Sequence, residues 1–68
     1  MSKADEMFEK LGYEKICGDY LECGYIGDNH NRIMFSNEKT INGKLCEDLT
    51  MKELQAINEK VKELGWNE

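Results

Sequence analysis

The sequence predicts a two-layer α+β fold: an N-terminal helix, an antiparallel sheet of three or four short strands, and a C-terminal helix packed on one sheet face. Apolar residues recur with helical spacing at both ends of the 68-residue chain. Between about residues 13 and 46 the apolar period falls to two, which is typical of strands with one buried face. Glycine, asparagine and aspartate separate these short segments, as tight turns require.

The first helix is predicted to begin after Ser2, whose hydroxyl can cap the free backbone N–H groups of the first turn. Gly12 can adopt the left-handed conformation that ends a helix, and Tyr13 would then pack back on Phe8. The face of this helix expected to be buried is formed by Ala4, Met7, Phe8 and Leu11.

Four segments have strand character, namely residues 13–17, 20–26, 32–36 and 40–46. Whether the first of them pairs with the sheet is left open, and Gly43 marks a bulge or bend in the last. The sheet face expected to lie under the helices carries Leu21, Cys23, Tyr25, Ile33, Phe35, Ile41 and Leu45. The opposite face is expected to be wet, with Glu22, Arg32, Met34, Asn42 and Lys44. Tyr20 and Met34 are candidate contact residues there, against the alternative of scattered surface side chains.

The C-terminal helix, residues 50–64, has the clearest boundaries in the chain. Thr50 and Glu53 form a capping box at its start, and Gly65 is placed to end it. Trp66 would pack back on Val61, with an interface anchor as the alternative reading. The stripe predicted to face the sheet is Leu54, Ile57, Val61 and Leu64. The predicted wet face is Lys52, Glu53, Gln55, Glu59, Lys60, Lys62 and Glu63.

Composition favours one small domain, residues 1–68, with 40% hydrophobic and 34% charged residues. The net charge is −5 and its acidic residues are concentrated towards both ends, so we expect no direct binding to DNA or RNA. No apolar segment is long enough for a membrane span, and the first residues are not expected to form a signal peptide. A cytoplasmic protein is therefore expected.

Two segments carry a resemblance to a known group of proteins. They are ADEMF (residues 4–8) followed by LGYEK (11–15), and TMKELQAIN (50–58) followed by ELGW (63–66). Together they resemble the ends of small uncharacterised proteins encoded by phages and prophages of Gram-positive, clostridia-like bacteria. The resemblance covers somewhat less than half of the chain and implies a mobile-element origin and a cytoplasmic setting. It implies no catalytic or binding residue, because that group has no established activity.

Three cysteines and one histidine are the first candidates for chemistry. Cys17, Cys23, Cys46 and His30 could form a Cys₃His zinc site, but their spacing lacks the short knuckle that such sites use. Buried, small apolar cysteines are the favoured alternative. A stable disulfide is not expected in a cytosolic protein, and an odd number of cysteines leaves one thiol unpaired.

No catalytic, cofactor-binding or metal-binding residue is predicted, and we expect the protein not to be an enzyme. His30 lies in a turn-forming segment without a neighbouring nucleophile, and the glycines match no phosphate-binding spacing. A core of this size also rarely leaves room for a preorganised pocket.

Two hypotheses of different classes follow, with a third that is weaker. The leading one is a small interaction or regulatory module that binds a phage or host protein through a sheet edge, the open face or a helix. The alternative is an acidic decoy that mimics nucleic acid and occupies a DNA- or RNA-binding protein. The weaker one is a zinc module. A homodimer is compatible with each, and no membrane partner is expected.

Overall fold

The computed structural model describes residues 2–17 and 23–66 and confirms the predicted α+β architecture. In chain order its elements are α1 (Lys3–Lys10), β1 (Tyr13–Cys17), β2 (Cys23–Gly27), β3 (Arg32–Phe35), β4 (Ile41–Lys44) and α2 (Met51–Glu63). The first strand has the predicted bounds. The third and fourth are shorter than predicted, and residues 20–22 of the second predicted strand lie outside the described residues.

The four strands form one antiparallel sheet in the order β1-β2-β3-β4, so β1 and β4 are its edges. Strand β1 pairs with β2 along its whole length, from Tyr13 opposite Gly27 to Cys17 opposite Cys23. This answers the question that the sequence left open about the first strand. Each strand follows its neighbour through a short connection, which is why chain order and sheet order are the same.

The predicted ends of both helices are present. Ser2 Oγ accepts a hydrogen bond of 3.0 Å from the backbone N–H of Asp5. Helix α2 begins with the predicted capping box between Thr50 and Glu53. At its end Gly65 has a φ of 73°, and the N–H of Trp66 donates to the carbonyl of Val61 at 3.2 Å, as in a Schellman motif.

The core lies between the helices and one sheet face, which we call the covered face. Phe8 of α1 stacks on Tyr25 of β2 with ring centroids 3.9 Å apart, and the edge of Tyr13 meets Phe8 at 5.5 Å. Phe35 of β3 lies 6.0 Å from the ring of Trp66. The buried hydrophobic residues are Ala4, Phe8, Tyr13, Tyr25, Ile33, Phe35, Ala56 and Ile57.

Helix α2 is turned about its axis relative to the sequence prediction. Of the predicted stripe, Ile57 is buried and Val61 is half-buried, whereas Leu54 and Leu64 are each 42% exposed. The residues of α2 that are buried are Glu53, Ala56, Ile57 and Lys60. The prediction that Glu53 and Lys60 lie on the wet face is therefore wrong, as is the inward placement of Leu54 and Leu64.

The physical reason lies in the contact between the two helices. Ala56 is fully buried, and its small side chain lets α2 approach the rest of the core closely. Glu53 and Lys60 lie one turn to either side of Ala56 and reach the core tyrosines Tyr13 and Tyr25. Near the end of α2, the Glu63 carboxylate accepts a 2.8 Å hydrogen bond from an α1 backbone N–H. The buried side of α2 therefore packs against α1 as well as against the sheet.

Strand β4 is the second correction. Ile41 and Leu45 were predicted to be covered, but they are 46% and 53% exposed. The buried strand residues belong to β1, β2 and β3, and every described residue of β4 is exposed. Two short helices that also pack on each other cannot cover four strands. Neither described helix is long and apolar enough to cross a membrane.

Candidate functional site

An apolar groove lies between β4 and α2, and we call it the β4–α2 groove. Its volume is about 240 Å³. Its walls are formed by Arg32, Ile33, Ile41, Asn42, Gly43, Leu45, Leu49 and Ile57. Three of these apolar side chains are substantially exposed: Ile41, Leu45 and Leu49, the last at 38%. The groove is therefore an apolar surface that faces solvent.

A buried asparagine fixes the chain where it leaves β4. The Asn31 side chain is fully buried, and its Oδ1 accepts from the backbone N–H groups of Cys46 at 2.7 Å and Glu47 at 2.8 Å. Its Nδ2 donates to the carbonyl of Glu47 at 3.0 Å. These three bonds hold the segment between β4 and α2 in place, so the groove has a defined wall.

Within residues 2–17 and 23–66, no strand pairs with the outer edge of β4, which lies beside this groove. The N–H of Ser36 donates to the carbonyl of Thr40 at 2.9 Å, so the backbone of Thr40 points towards β3. Bonding direction alternates along an antiparallel strand, and the backbone of Asn42 therefore also points towards β3. Ile41 and Gly43 consequently direct their N–H and C=O groups to the open edge.

Gly43 is required by the close approach of β4 to β3. Its φ is 137°, and a Cβ atom added there would lie 2.0 Å from the carbonyl oxygen of Arg32. Any side chain would push β4 away from β3 and change the shape of the groove. The predicted irregularity at this glycine is thus a positive-φ position within a strand whose pairing is continuous.

Two basic residues lie beside each other on the open face. Arg32 of β3 and Lys44 of β4 are directly opposite in the register, and both are exposed. Ile33 and Phe35 occupy the covered face, so the side chains of Arg32 and Lys44 leave their strands on the other face, although Arg32 also borders the groove. Like charges directly opposite each other repel. This pair forms a local cationic site on a chain whose net charge is −5.

The buried polar groups elsewhere are used by the fold. Tyr13 Oη donates to the Glu53 carboxylate, and Tyr25 Oη donates to Asp5 Oδ1 at 2.6 Å. Lys15 forms an ion pair of 3.1 Å with Asp5 Oδ2. Among the described residues, no buried side-chain nitrogen or oxygen lacks a partner. This network connects the helices to the sheet.

The electrostatics of the network follow from these contacts. Burial alone would raise the pKa of Asp5, but the hydrogen bond from Tyr25 and the Lys15 ammonium outweigh it and lower that pKa to about 2. Burial likewise opposes ionisation of Glu53, but hydrogen bonds from Tyr13 and Thr50 lower its pKa. Burial, together with hydrogen bonding to a carboxylate, raises the pKa of both tyrosines. Both carboxylates are therefore ionised at neutral pH.

Two of the three cysteines form a disulfide, so the expectation that no disulfide would be present is wrong. Cys17 and Cys23 face each other at the ends of β1 and β2, with Cα atoms 4.1 Å apart. Directly opposite positions without ladder hydrogen bonds bring side chains closest, which favours this bridge. Cys46 is exposed and its thiol lies 3.6 Å from the carbonyl oxygen of His30.

The Cys₃His constellation is therefore not assembled. Cys17 and Cys23 are bonded to each other, and Cys46 contacts the main chain of His30, not its imidazole. No group of three or more metal-binding side chains is present within residues 2–17 and 23–66. His30 has a φ of 66° in the turn before β3, which agrees with the turn-forming role predicted for this segment.

The surface candidates from the sequence have mixed outcomes. Met34 lies on the open face as predicted but is half-buried, and Tyr20 lies outside the described residues. Trp66 packs against the core beside Phe35, in addition to its capping hydrogen bond. Ile41 and Leu45 were missed as surface residues, because strand alternation shows which face a residue occupies but not whether a helix covers it.

Comparison with protein-family models, curated proteins and solved structures finds no match for this chain. The resemblance of its two ends to phage and prophage proteins therefore stays a prediction.

Proposed function

We propose that this protein is a small, non-enzymatic interaction module that binds another protein through the β4–α2 groove. One observation carries the proposal: exposed Ile41, Leu45 and Leu49 border a groove that runs beside a strand edge with which no other described strand pairs. Exposed apolar side chains that adjoin one another are typical of contact surfaces. A free edge adds main-chain hydrogen bonds that an incoming segment can use.

The non-enzymatic part of the proposal is supported by how the polar residues are used. Asp5, Glu53 and Asn31 each accept hydrogen bonds that join different parts of the fold. Asp5 also borders a surface cavity of about 240 Å³, but both of its carboxylate oxygens are engaged there, by Tyr25 Oη and Lys15 Nζ. The groove is lined mainly by aliphatic side chains, which bind by contact and supply no proton transfer.

Origin and location belong to the same proposal. The phage or prophage resemblance supports a partner from the phage or its host, and a cytoplasmic setting. In a reducing cytoplasm the disulfide between Cys17 and Cys23 would be held as two thiols. The β4–α2 groove is at the opposite edge of the sheet from β1 and does not include either cysteine.

The acidic decoy has less support than the interaction module. A decoy needs its carboxylates displayed to a basic cleft. In the acid-rich ends, Asp5, Glu53 and Glu63 accept hydrogen bonds from other parts of the fold. Asp5 and Glu53 are thus directed inwards, and the exposed Glu63 is engaged by α1, so these three carboxylates contribute little to a surface that mimics nucleic acid.

A pair of matched variants tests the proposal. Leu45→Glu places a charge in the groove, and Leu64→Glu places the same charge at a similarly exposed leucine outside it. Both proteins and the wild type are used as bait in nuclease-treated host lysate, read by mass spectrometry. We expect specific partners to be lost from Leu45→Glu and kept by Leu64→Glu. Equal capture by all three proteins, each folded by circular dichroism, would refute the use of the groove.

A further inference from the structure

We propose that the segment taken by the β4–α2 groove is an extended strand in which apolar and acidic residues alternate. This inference rests on the proposed function and specifies the chemistry of the partner. The strand adds to the open edge of β4, placing its apolar residues over the groove and its acidic residues beside Arg32 and Lys44. Three features of the described residues support this assignment.

The first feature is the spacing of the free backbone groups. Ile41 and Gly43 each direct one N–H and one C=O to the open edge, two residues apart, which is the repeat of an antiparallel ladder. A bound helix would satisfy none of these groups, because its own backbone bonds are internal. An extended segment can bond to both positions.

The second feature is the position of the groove relative to the edge. Ile41 is opposite Phe35 in the register, so it lies on the covered face, where Leu45 and Ile57 also line the groove. Alternate side chains of an added strand project to this same face. They would cover Ile41 and Leu45, which are otherwise about half exposed. Apolar residues are therefore required at every second position.

The third feature is the charge on the opposite face. The remaining side chains of an added strand project to the open face next to Lys44, whose neighbour across the ladder is Arg32. Two adjacent cations repel each other, and a carboxylate placed beside them relieves that repulsion. Acidic residues are therefore favoured at the positions between the apolar ones.

A second copy of this chain satisfies the first two features but not the third. If two β4 strands pair around Gly43, Ile41 of one copy meets Leu45 of the other. On the open face, however, Lys44 then meets Asn42, and the cationic pairs of both copies stay unneutralised. The charges therefore favour a partner strand over self-pairing.

The overall acidity of the chain does not oppose an acidic strand at this place. Among the described residues, neither Arg32 nor Lys44 forms an ion pair with a carboxylate, since the salt bridge there joins Lys15 to Asp5. Charges more than about 8 Å apart are largely screened at physiological ionic strength. On the open face, an added strand would lie next to Asn42 and Lys44 of β4, with Arg32 directly beyond Lys44.

The test uses three labelled nine-residue peptides in which valine alternates with glutamate, with serine or with lysine. Binding to the intact protein is measured by fluorescence anisotropy at low and at physiological salt. We expect the glutamate peptide to bind roughly three- to tenfold more tightly than the serine peptide, and the lysine peptide most weakly. The preference should shrink as salt increases.

A charge-reversed protein and a blocked peptide make the test specific. The double variant Arg32→Glu and Lys44→Glu should reverse the order of the peptides while keeping the fold, because both residues are exposed. Methylating the peptide nitrogens that face β4 should abolish binding, whereas methylating the alternate nitrogens should not. An unchanged peptide order in the double variant would overturn the inference.

The results also separate this inference from the proposed function. If no peptide binds but lysate partners still depend on Leu45, the groove is used and the alternating acidic strand is wrong. A concentration-dependent dimer in sedimentation, broken by Leu45→Glu and kept by Leu64→Glu, would assign the groove to a second copy and overturn the inference. If no lysate partner depends on Leu45 yet the glutamate peptide binds as expected, the groove prefers an alternating acidic strand, but the proposed binding of a cellular protein through it is wrong.

Discussion

Tyr13 donates its hydroxyl hydrogen to the carboxylate of Glu53, a residue 40 positions later in the chain. The other carboxylate oxygen accepts from the backbone N–H of Thr50 at 2.8 Å, completing the capping box of α2. One buried carboxylate thus fixes both the start of the helix and its attachment to β1. This double use explains why a glutamate is buried on the side of α2 that faces the core.

Removing the tyrosine hydroxyl tests this connection. We expect Tyr13→Phe to lower the free energy of unfolding by about 2 kcal/mol, because a buried, ionised carboxylate loses a hydrogen-bond donor. Urea denaturation measures the change. Lys15→Met is the control, since its ion pair with Asp5 is half exposed and should contribute less than about 1 kcal/mol. Equal losses in both variants would contradict the importance of the buried bond.

Stability should fall in acid because of Asp5. Its pKa is about 2 in the folded protein against an ordinary value of 3.8, so the folded state favours the charged form. The resulting stabilisation is complete above the unfolded value and is lost as pH falls through the folded value. After allowance for screening by solvent, we expect about 1 kcal/mol of this loss between pH 5 and pH 2.

Asp5→Asn isolates this contribution. Glu53 titrates in the same direction, so the wild type alone cannot separate the two carboxylates. Urea denaturation at several pH values should give a shallower fall for Asp5→Asn than for the wild type, with the two curves converging towards pH 2. Parallel curves across that range would show that Asp5 is not held in its charged form by Tyr25 and Lys15.

Local signals in the sequence were sufficient for the elements and their ends. Ser2, Gly12, Thr50 and Gly65 act where the sequence places them, because caps depend on residues a few positions apart. The alternation in strands likewise placed Tyr25, Ile33 and Phe35 correctly on the covered face. Each of these predictions needs only neighbouring residues.

Predictions that depended on how elements meet were less successful. The rotation of α2 follows from the burial of Ala56 in the core and from the contacts of Glu53 and Lys60 with tyrosines on distant strands, which no spacing within the helix records. The exposure of Ile41 and Leu45 depends on how much of the sheet two helices can cover. The pairing of Cys17 with Cys23 depends on strand register. The sequence prediction considered only the expected cytosolic location, in which stable disulfides are rare.

The disulfide should stabilise the fold by constraining the unfolded chain. Cys17 and Cys23 are six residues apart, and closure of a loop of that size contributes about 2 kcal/mol. We expect reduction, or Cys17→Ser, to lower the melting temperature by roughly 10 °C. Cys46→Ser should leave it nearly unchanged, since that thiol is exposed and unbridged. Thermal denaturation with and without reductant measures both effects.

The close contact between β4 and β3 at Gly43 can be tested by substitution, with Gly65 as the control position. Both have positive φ, but a Cβ at Gly43 would collide with the Arg32 carbonyl, whereas a Cβ at Gly65 meets no atom within 4 Å. We expect Gly65→Ala to cost about 1 kcal/mol from backbone conformation alone. Gly43→Ala should cost at least about 2 kcal/mol, because β4 must also move. Urea denaturation giving equal costs would show that the close approach is easily relieved.

The rotation of α2 makes opposite predictions for two residues of the same apolar stripe. Ile57 is 7% exposed and lies in the core, so Ile57→Ala should lower the free energy of unfolding by about 3 kcal/mol. Leu54 is 42% exposed, and Leu54→Ala should cost less than about 1 kcal/mol. If α2 instead packed with the stripe inwards, both substitutions would cost similar amounts in urea denaturation. The difference in the free energy of unfolding between the two variants therefore reports the orientation of the helix. A small loss for Leu54→Ala would show that Leu54 is exposed and available to contact a partner.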